Sequence, residues 1–162
     1  MIGDKKISIV TAYYNRRKLF YNTLKTIEYS KYKDLVEIIA VDDGSDINNR
    51  IDDFPNLFKL DIKVIRIDEK DKTWMNPAVP FNIGFKAATS DIILIQNPEC
   101  MHYGEVIEHA INNTKDNTYI TYGCYSIDDY KTKEINRINF NSANYTNSLG
   151  RLLTPLVNRA VR

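Results

Sequence analysis

The sequence predicts an α/β fold, a mostly parallel sheet flanked by helices. Three observations carry this. Short apolar or β-branched runs alternate with stretches of helical periodicity. The first two runs are separated by a segment with room for one crossover helix, the mark of parallel pairing with a right-handed connection. Three polar clusters then stand where such runs end: Thr11 to Asn15, Asp42-Asp43 and Asn97 to Glu99. In an open parallel sheet those ends share one rim, and ligands bind in the crevice outside it.

The elements follow in order. Ile7-Ser8-Ile9-Val10-Thr11 is a short β-branched run and predicts a buried strand. From Arg16 a helix is expected, because Phe20, Leu24 and Ile27 recur on one face. Val36 to Val41 predicts the second strand, ending in Asp42-Asp43-Gly44-Ser45. Asn48 to Phe54 predicts a short helix before Pro55. Ile62 to Ile67 alternates apolar and charged residues, as a half-exposed or edge strand does. Trp74 to Pro80 is expected to be irregular, because a proline disfavours helix in the residue before it. Phe81 to Thr89 predicts a helix whose Gly84 permits a close approach. Asp91 to Gln96 is the most apolar strand and is expected at the centre of the sheet. A helix over Tyr103 to Asn113 and a fifth strand over Thr118 to Tyr122 complete the pattern. Beyond Ser126 it weakens, and residues 136–148 are rich in Asn and Ser.

Composition excludes more than it selects. The chain of 162 residues carries 22 basic and 21 acidic side chains, so no net field points to nucleic acid or a membrane surface. No apolar run reaches the ~18 residues of a membrane span, and the N-terminal residues lack a signal-peptide core. Cys100 and Cys124 form no CxxC pattern, which suits reduced thiols and a cytoplasmic location, with peripheral membrane attachment left open. The glycine patterns of a dinucleotide fold and of a P-loop are both absent.

Asp42-Asp43-Gly44-Ser45 alone is a weak signal, since polar turns of this kind are common. The ordered set is stronger. The succession of a strand, Thr-Ala-Tyr-Tyr-Asn-Arg (residues 11–16), a helix, a strand and Val-Asp-Asp-Gly-Ser (residues 41–45) resembles the N-terminal half of family 2 glycosyltransferases. Asn82-Ile83-Gly84 is similar to that family's Asn-x-Gly element, and Trp74 to Pro77 and Gln96 to Cys100 resemble a branch of it. The resemblance covers roughly residues 5–112 and implies the Rossmann-like GT-A fold. It implies one glycosyltransferase domain over 1–162, with a donor-binding core near 5–125 and a shortened or incomplete acceptor part at 126–162. The function implied is transfer of a sugar from a nucleotide-diphosphate donor, UDP-linked, with inversion and with Mn²⁺ or Mg²⁺. The rival is a non-catalytic nucleotide-sugar-binding module.

By position, the resemblance assigns Thr11, Ala12, Tyr13, Tyr14, Asp42 and Asp43 to the nucleotide. Asp43 accepts a hydrogen bond from the base, which suits the imide N–H of uracil, while Asp42 holds the loop. Trp74, Asn76, Asn82 and Asn97 are assigned to the donor sugar and phosphates. The family's Asp-x-Asp metal motif falls on Asn97-Pro98-Glu99, so Glu99 is the expected metal ligand, with His102 a possible third group. The plain alternative for Glu99 is a cap on the following segment. An arginine usual before Asn-x-Gly is replaced by Phe81, and Arg16, Arg17 and Lys86 are the candidates to compensate. Inversion needs a general base; Asp128 and Asp129 are the candidates, against a simple polar turn. The acceptor, a glycan, lipid or protein, stays open, as do oligomerisation and further domains.

Overall fold

The computed structural model describes residues 6–135. The chain divides into two compact units, Met1–Ile120 and Thr121–Arg162.

In the first unit, strands β1 (Ile7–Tyr13), β2 (Val36–Asp43), β3 (Asp61–Ile67) and β4 (Ile92–Ile95) form a sheet in the order β3-β2-β1-β4. All three pairings are parallel, and Tyr13 lies opposite Asp42 at the end of the β1–β2 ladder. The chain builds outward from β1 to β3, then crosses back to add β4 on the other side of β1. The gap between the exits of β1 and β4 is therefore the topological switch point of the sheet.

Side-chain alternation gives the sheet two buried faces. Helix α1 (Arg17–Glu28) lays Phe20, Leu24 and Ile27 on Ile7, Ile9, Ile38 and Ala40. Each such side chain, fully buried, contributes about 1.5–3 kcal/mol. Helix α4 (Val106–Asn113) adds Ile107 and Ala110 to the same layer. Helix α3 (Ala78–Ala87) covers the other face, packing Phe81, Ile83 and Phe85 on Val10, Ile39 and Val41. The short helix α2 (Phe54–Leu57) seats Phe54 between Phe20 and Phe58.

Several expectations need correction. The Ile92 strand is an edge strand among the described residues, not the central one: Ile93 and Ile95 are exposed, while β1 and β2 lie between neighbours. Its apolarity reports burial of Ile92 and Leu94 against the α1 layer. The helix expected over Asn48 to Phe54 forms instead over Phe54–Leu57, with Pro55 in its first turn. Pro80 likewise lies within the first turn of α3, where no intrahelical partner awaits its absent N–H. Thr118 to Tyr122 is not a strand, since Asn117 takes a left-handed φ of 59° and the Thr118 hydroxyl closes a turn on Lys115.

In the second unit, helix α5 (Asp129–Ile135) follows a stretch without regular secondary structure. Asp128 caps it, its Oδ1 accepting the Lys131 N–H at 2.8 Å. No described helix is long and apolar enough to cross a membrane.

Candidate functional site at the sheet rim

Adjacent residues of a strand point to opposite faces, and that separates the two carboxylates ending β2. Asp42 follows Ile38 and Ala40 toward the α1 layer and is fully buried. Its Oδ1 accepts the Ser45 N–H at 2.9 Å, and its Oδ2 accepts from Arg66 Nη1 at 2.9 Å. The other guanidinium nitrogen reaches the Ser45 carbonyl at 3.1 Å. Asp42 thus fixes the turn after β2. Asn15, itself at φ 49°, ties that turn to the end of β1: its N–H donates to Ser45 Oγ and its Oδ1 accepts the Asp46 N–H.

Asp43 points the other way. Its Oδ1 accepts from the Trp74 indole N–H at 3.1 Å, and Lys72 Nζ lies 2.8 Å from its Oδ2. The same ammonium sits over the Tyr14 ring, 4.7 Å from its centroid. Each carboxylate oxygen still has a further lone pair, so Asp43 keeps the capacity to accept another N–H. Gly44 lets this corner close, with φ 85° and Glu69 Cα only 3.3 Å from where a side chain would begin.

Strand parity also settles Tyr13. It shares the face of Ile7 and Ile9, is fully buried, and donates its hydroxyl to the Asn49 carbonyl at 2.6 Å. Burial raises its pKa to about 12. Tyr13 is thus a core residue, whereas the sequence suggested it beside the nucleoside. Thr11 is buried on that face as well, while Ala12 is partly exposed and Tyr14 exposed.

Across the switch point, the chain leaving β4 makes a tight turn in which the Cys100 N–H returns to the Asn97 carbonyl. Asn97 and Glu99 are exposed and Pro98 is buried beneath them. Glu99 Oε1 accepts from Arg16 Nη1 at 2.9 Å, so the exits of β1 and β4 are bridged by an ion pair. Gln96 braces the turn from below. Its amide nitrogen donates to the Cys100 carbonyl at 2.9 Å, and its Oε1 lies 2.8 Å from His102 Nε2. That orientation requires the hydrogen of His102 on Nε2. Burial lowers the His102 pKa to about 4, so the ring is a neutral brace of the loop at neutral pH.

Asn76 accepts the Ala78 N–H at 2.9 Å and so starts α3, while Asn82 is exposed on that helix. Asp128 and Asp129 belong to the second unit, at the start of α5. Lys72 and Arg66 are the rim residues that sequence reasoning missed, while Asn15 and Ser45 were noted only as parts of their motifs. The only available signal was a lysine amid acidic residues, which reads equally well as a solvated loop.

The pattern of the Glycosyl transferase family 2 matches residues 8–159 of the chain. The chain belongs to that family. An uncharacterized glycosyltransferase of Rickettsia conorii is 28% identical over 120 residues, covering 74% of this chain and 19% of the relative. This family 2 chain thus spans about a fifth of that relative's length. Among solved structures, S. aureus TarS superimposes with a TM-score of 0.57 at 24% identity, over 66% of this chain and 19% of TarS. A TarS form comprising residues 1–349, in complex with UDP-GlcNAc, gives 0.56 at the same identity, over 66% of this chain and 30% of that one. These likenesses establish the GT-A fold, as the family resemblance implied.

Proposed function

We propose that this family 2 chain binds a nucleotide-diphosphate sugar, UDP-linked, at the rim and transfers the sugar with inversion to an acceptor. The observation that carries the reading is the placing of Asp43. Its carboxylate lies nearly buried at the exit of β2, on the sheet face opposite Asp42, held by Trp74 and by Lys72, whose ammonium also sits over the Tyr14 ring. An acceptor-only group suits the imide N–H of a uracil ring, and the Tyr14 ring provides an apolar surface for base or ribose.

The diphosphate then lies toward the switch point, where Arg16 and the exposed Asn97-Pro98-Glu99 turn converge. The donor set there fits a hard divalent cation shared with the donor. Glu99 supplies one carboxylate and Asn97 one amide oxygen, and diphosphate oxygens and water complete the shell. Among the described residues no three Asp, Glu, His or Cys side chains gather, so donor oxygens are needed to finish the site. When bound, Mn²⁺ or Mg²⁺ neutralises charge on the leaving diphosphate. Trp74, Asn76 and Asn82 border the sugar side, with Trp74 held by Asp43.

Calorimetry with UDP, GDP and CDP, with and without Mn²⁺, tests it, followed by donor-hydrolysis assays. UDP is expected to bind most tightly and to gain affinity from Mn²⁺. No binding by any nucleotide overturns the reading. Tight binding without turnover instead identifies a binding module.

A further inference from the structure

The Arg16–Glu99 pair is the only place among the described residues where side chains from the β1 and β4 exits meet as opposite charges. It lies across the topological switch point, where the sheet directs a ligand. Both members are accessible, with side-chain exposures of 52% and 35%. Neither is held by a buried network, so each can leave the other at little cost. The pairing nonetheless satisfies two groups with opposite ligand preferences. A guanidinium binds phosphate oxygens in a forked geometry, and a carboxylate binds a hard cation.

We infer that Arg16 and Glu99 form an exchange pair that couples the binding of the diphosphate to the binding of the divalent cation. In the resting chain each masks the other. A cation arriving alone meets a carboxylate already neutralised by Arg16. A diphosphate arriving alone meets a guanidinium already neutralised by Glu99. Arriving together, they exchange partners: Arg16 turns to the diphosphate and Glu99 to the cation. The charge that opposes each single ligand favours the pair of ligands. The inference rests on the donor-site reading above and adds a thermodynamic linkage to it, which is necessarily reciprocal.

The test is calorimetric titration of the full chain with UDP and with Mn²⁺, each alone and each in the presence of the other. It covers the native protein, Arg16→Gln and Glu99→Gln. In the native chain each ligand is expected to tighten the other by the same factor. Glu99→Gln removes a group from the site yet is expected to tighten metal-free UDP binding about two- to fivefold, the size of an exposed ion pair. It also abolishes the response to Mn²⁺. Arg16→Gln is expected to tighten Mn²⁺ binding in the absence of UDP by a similar factor and to shrink the coupling. If Glu99→Gln leaves metal-free UDP binding unchanged or weaker, or if Arg16→Gln leaves the Mn²⁺ affinity unchanged, the exchange pair is wrong while the donor site stands. If the native chain binds no UDP at all, the donor-site reading fails and the exchange pair with it.

Discussion

The indole N–H of Trp74 donates to Oδ1 of Asp43 at 3.1 Å, from the loop whose Lys72 also binds that carboxylate. Trp74 is the single tryptophan of the chain, so its emission reports directly on the proposed base site. Adding UDP is expected to shift or quench that emission, whereas replacing Asp43 by Ala should shift it without ligand. The same Asp43→Ala change removes a charge-assisted acceptor, which is worth about 1.5–3 kcal/mol, or roughly ten- to a hundredfold in UDP affinity. A fluorescence titration measures both effects. An Asp43→Ala variant that binds UDP as the native chain does would remove Asp43 from base recognition.

Gly84 shows how closely α3 lies on the sheet. A β-carbon placed there comes within 2.4 Å of Val10 Cγ1 and 3.3 Å of Val41 Cγ2. Gly84→Ala therefore gains about 1 kcal/mol of helix propensity but must displace two core valines. Overpacking of this kind typically costs about 1–3 kcal/mol, so net destabilisation is expected. Urea denaturation should show a lower midpoint, and adding Val10→Ala should recover part of the loss. Equal stability of Gly84→Ala and the native chain would contradict the packing described.

The helix–sheet alternation, the shared rim and the close approach at Gly84 were all legible in sequence, because periodicity and glycine each report a local constraint. Strand order was not. The apolarity of Ile92 to Ile95 says that the strand is buried on a face, and nothing in it says which neighbours it has. Tyr13 was misplaced for a simpler reason: its motif position suggested the pocket, but its parity with Ile7 and Ile9 already placed it in the core. Lys72 and Arg66 escaped notice because their partners lie far away in sequence. Arg66 joins Asp42 only because β3 pairs with β2 in the register that sets those two residues side by side. The base candidates Asp128 and Asp129 came from residue type and from a place beyond the metal motif, and the cap that Asp128 makes on α5 is what the polar-turn alternative expects.

Arg66 is expected to matter for stability more than for chemistry. Its partner Asp42 has no exposed surface, so truncating Arg66 strands a carboxylate with one backbone N–H. Breaking a buried pair from one side typically costs about 3–5 kcal/mol. The 20% exposure of Arg66 admits some water and places the expected loss toward the lower end. Arg66→Met should thus lower the denaturation midpoint strongly. The double change with Asp42→Asn should recover part of the loss, because the amide needs no counter-charge. A surface-like effect, within about 0.5 kcal/mol, would refute the assignment.

His102 links the rim to pH. Its pKa is about 4 in the folded chain, lowered by burial from an ordinary 6.5. The unfolded chain therefore binds a proton that the folded one refuses, over the window between those values. Stability must fall as pH drops from about 6.5 toward 4, with a slope of up to about 1.4 kcal/mol per pH unit. Above that window the contribution is constant. His102→Gln carries no titrating ring, so its stability curve should lack this component, and subtracting the two curves isolates it from carboxylates and from His109. Protonation leaves the Nε2–H bond to Gln96 in place but puts a charge on a buried ring against the brace of the Asn97-Pro98-Glu99 turn, and the cost of burying that charge should loosen the turn. UDP binding in the presence of Mn²⁺ is then expected to weaken below pH 5 more in the native chain than in His102→Gln. Parallel stability curves for the two proteins would show that the ring is not held neutral by its surroundings.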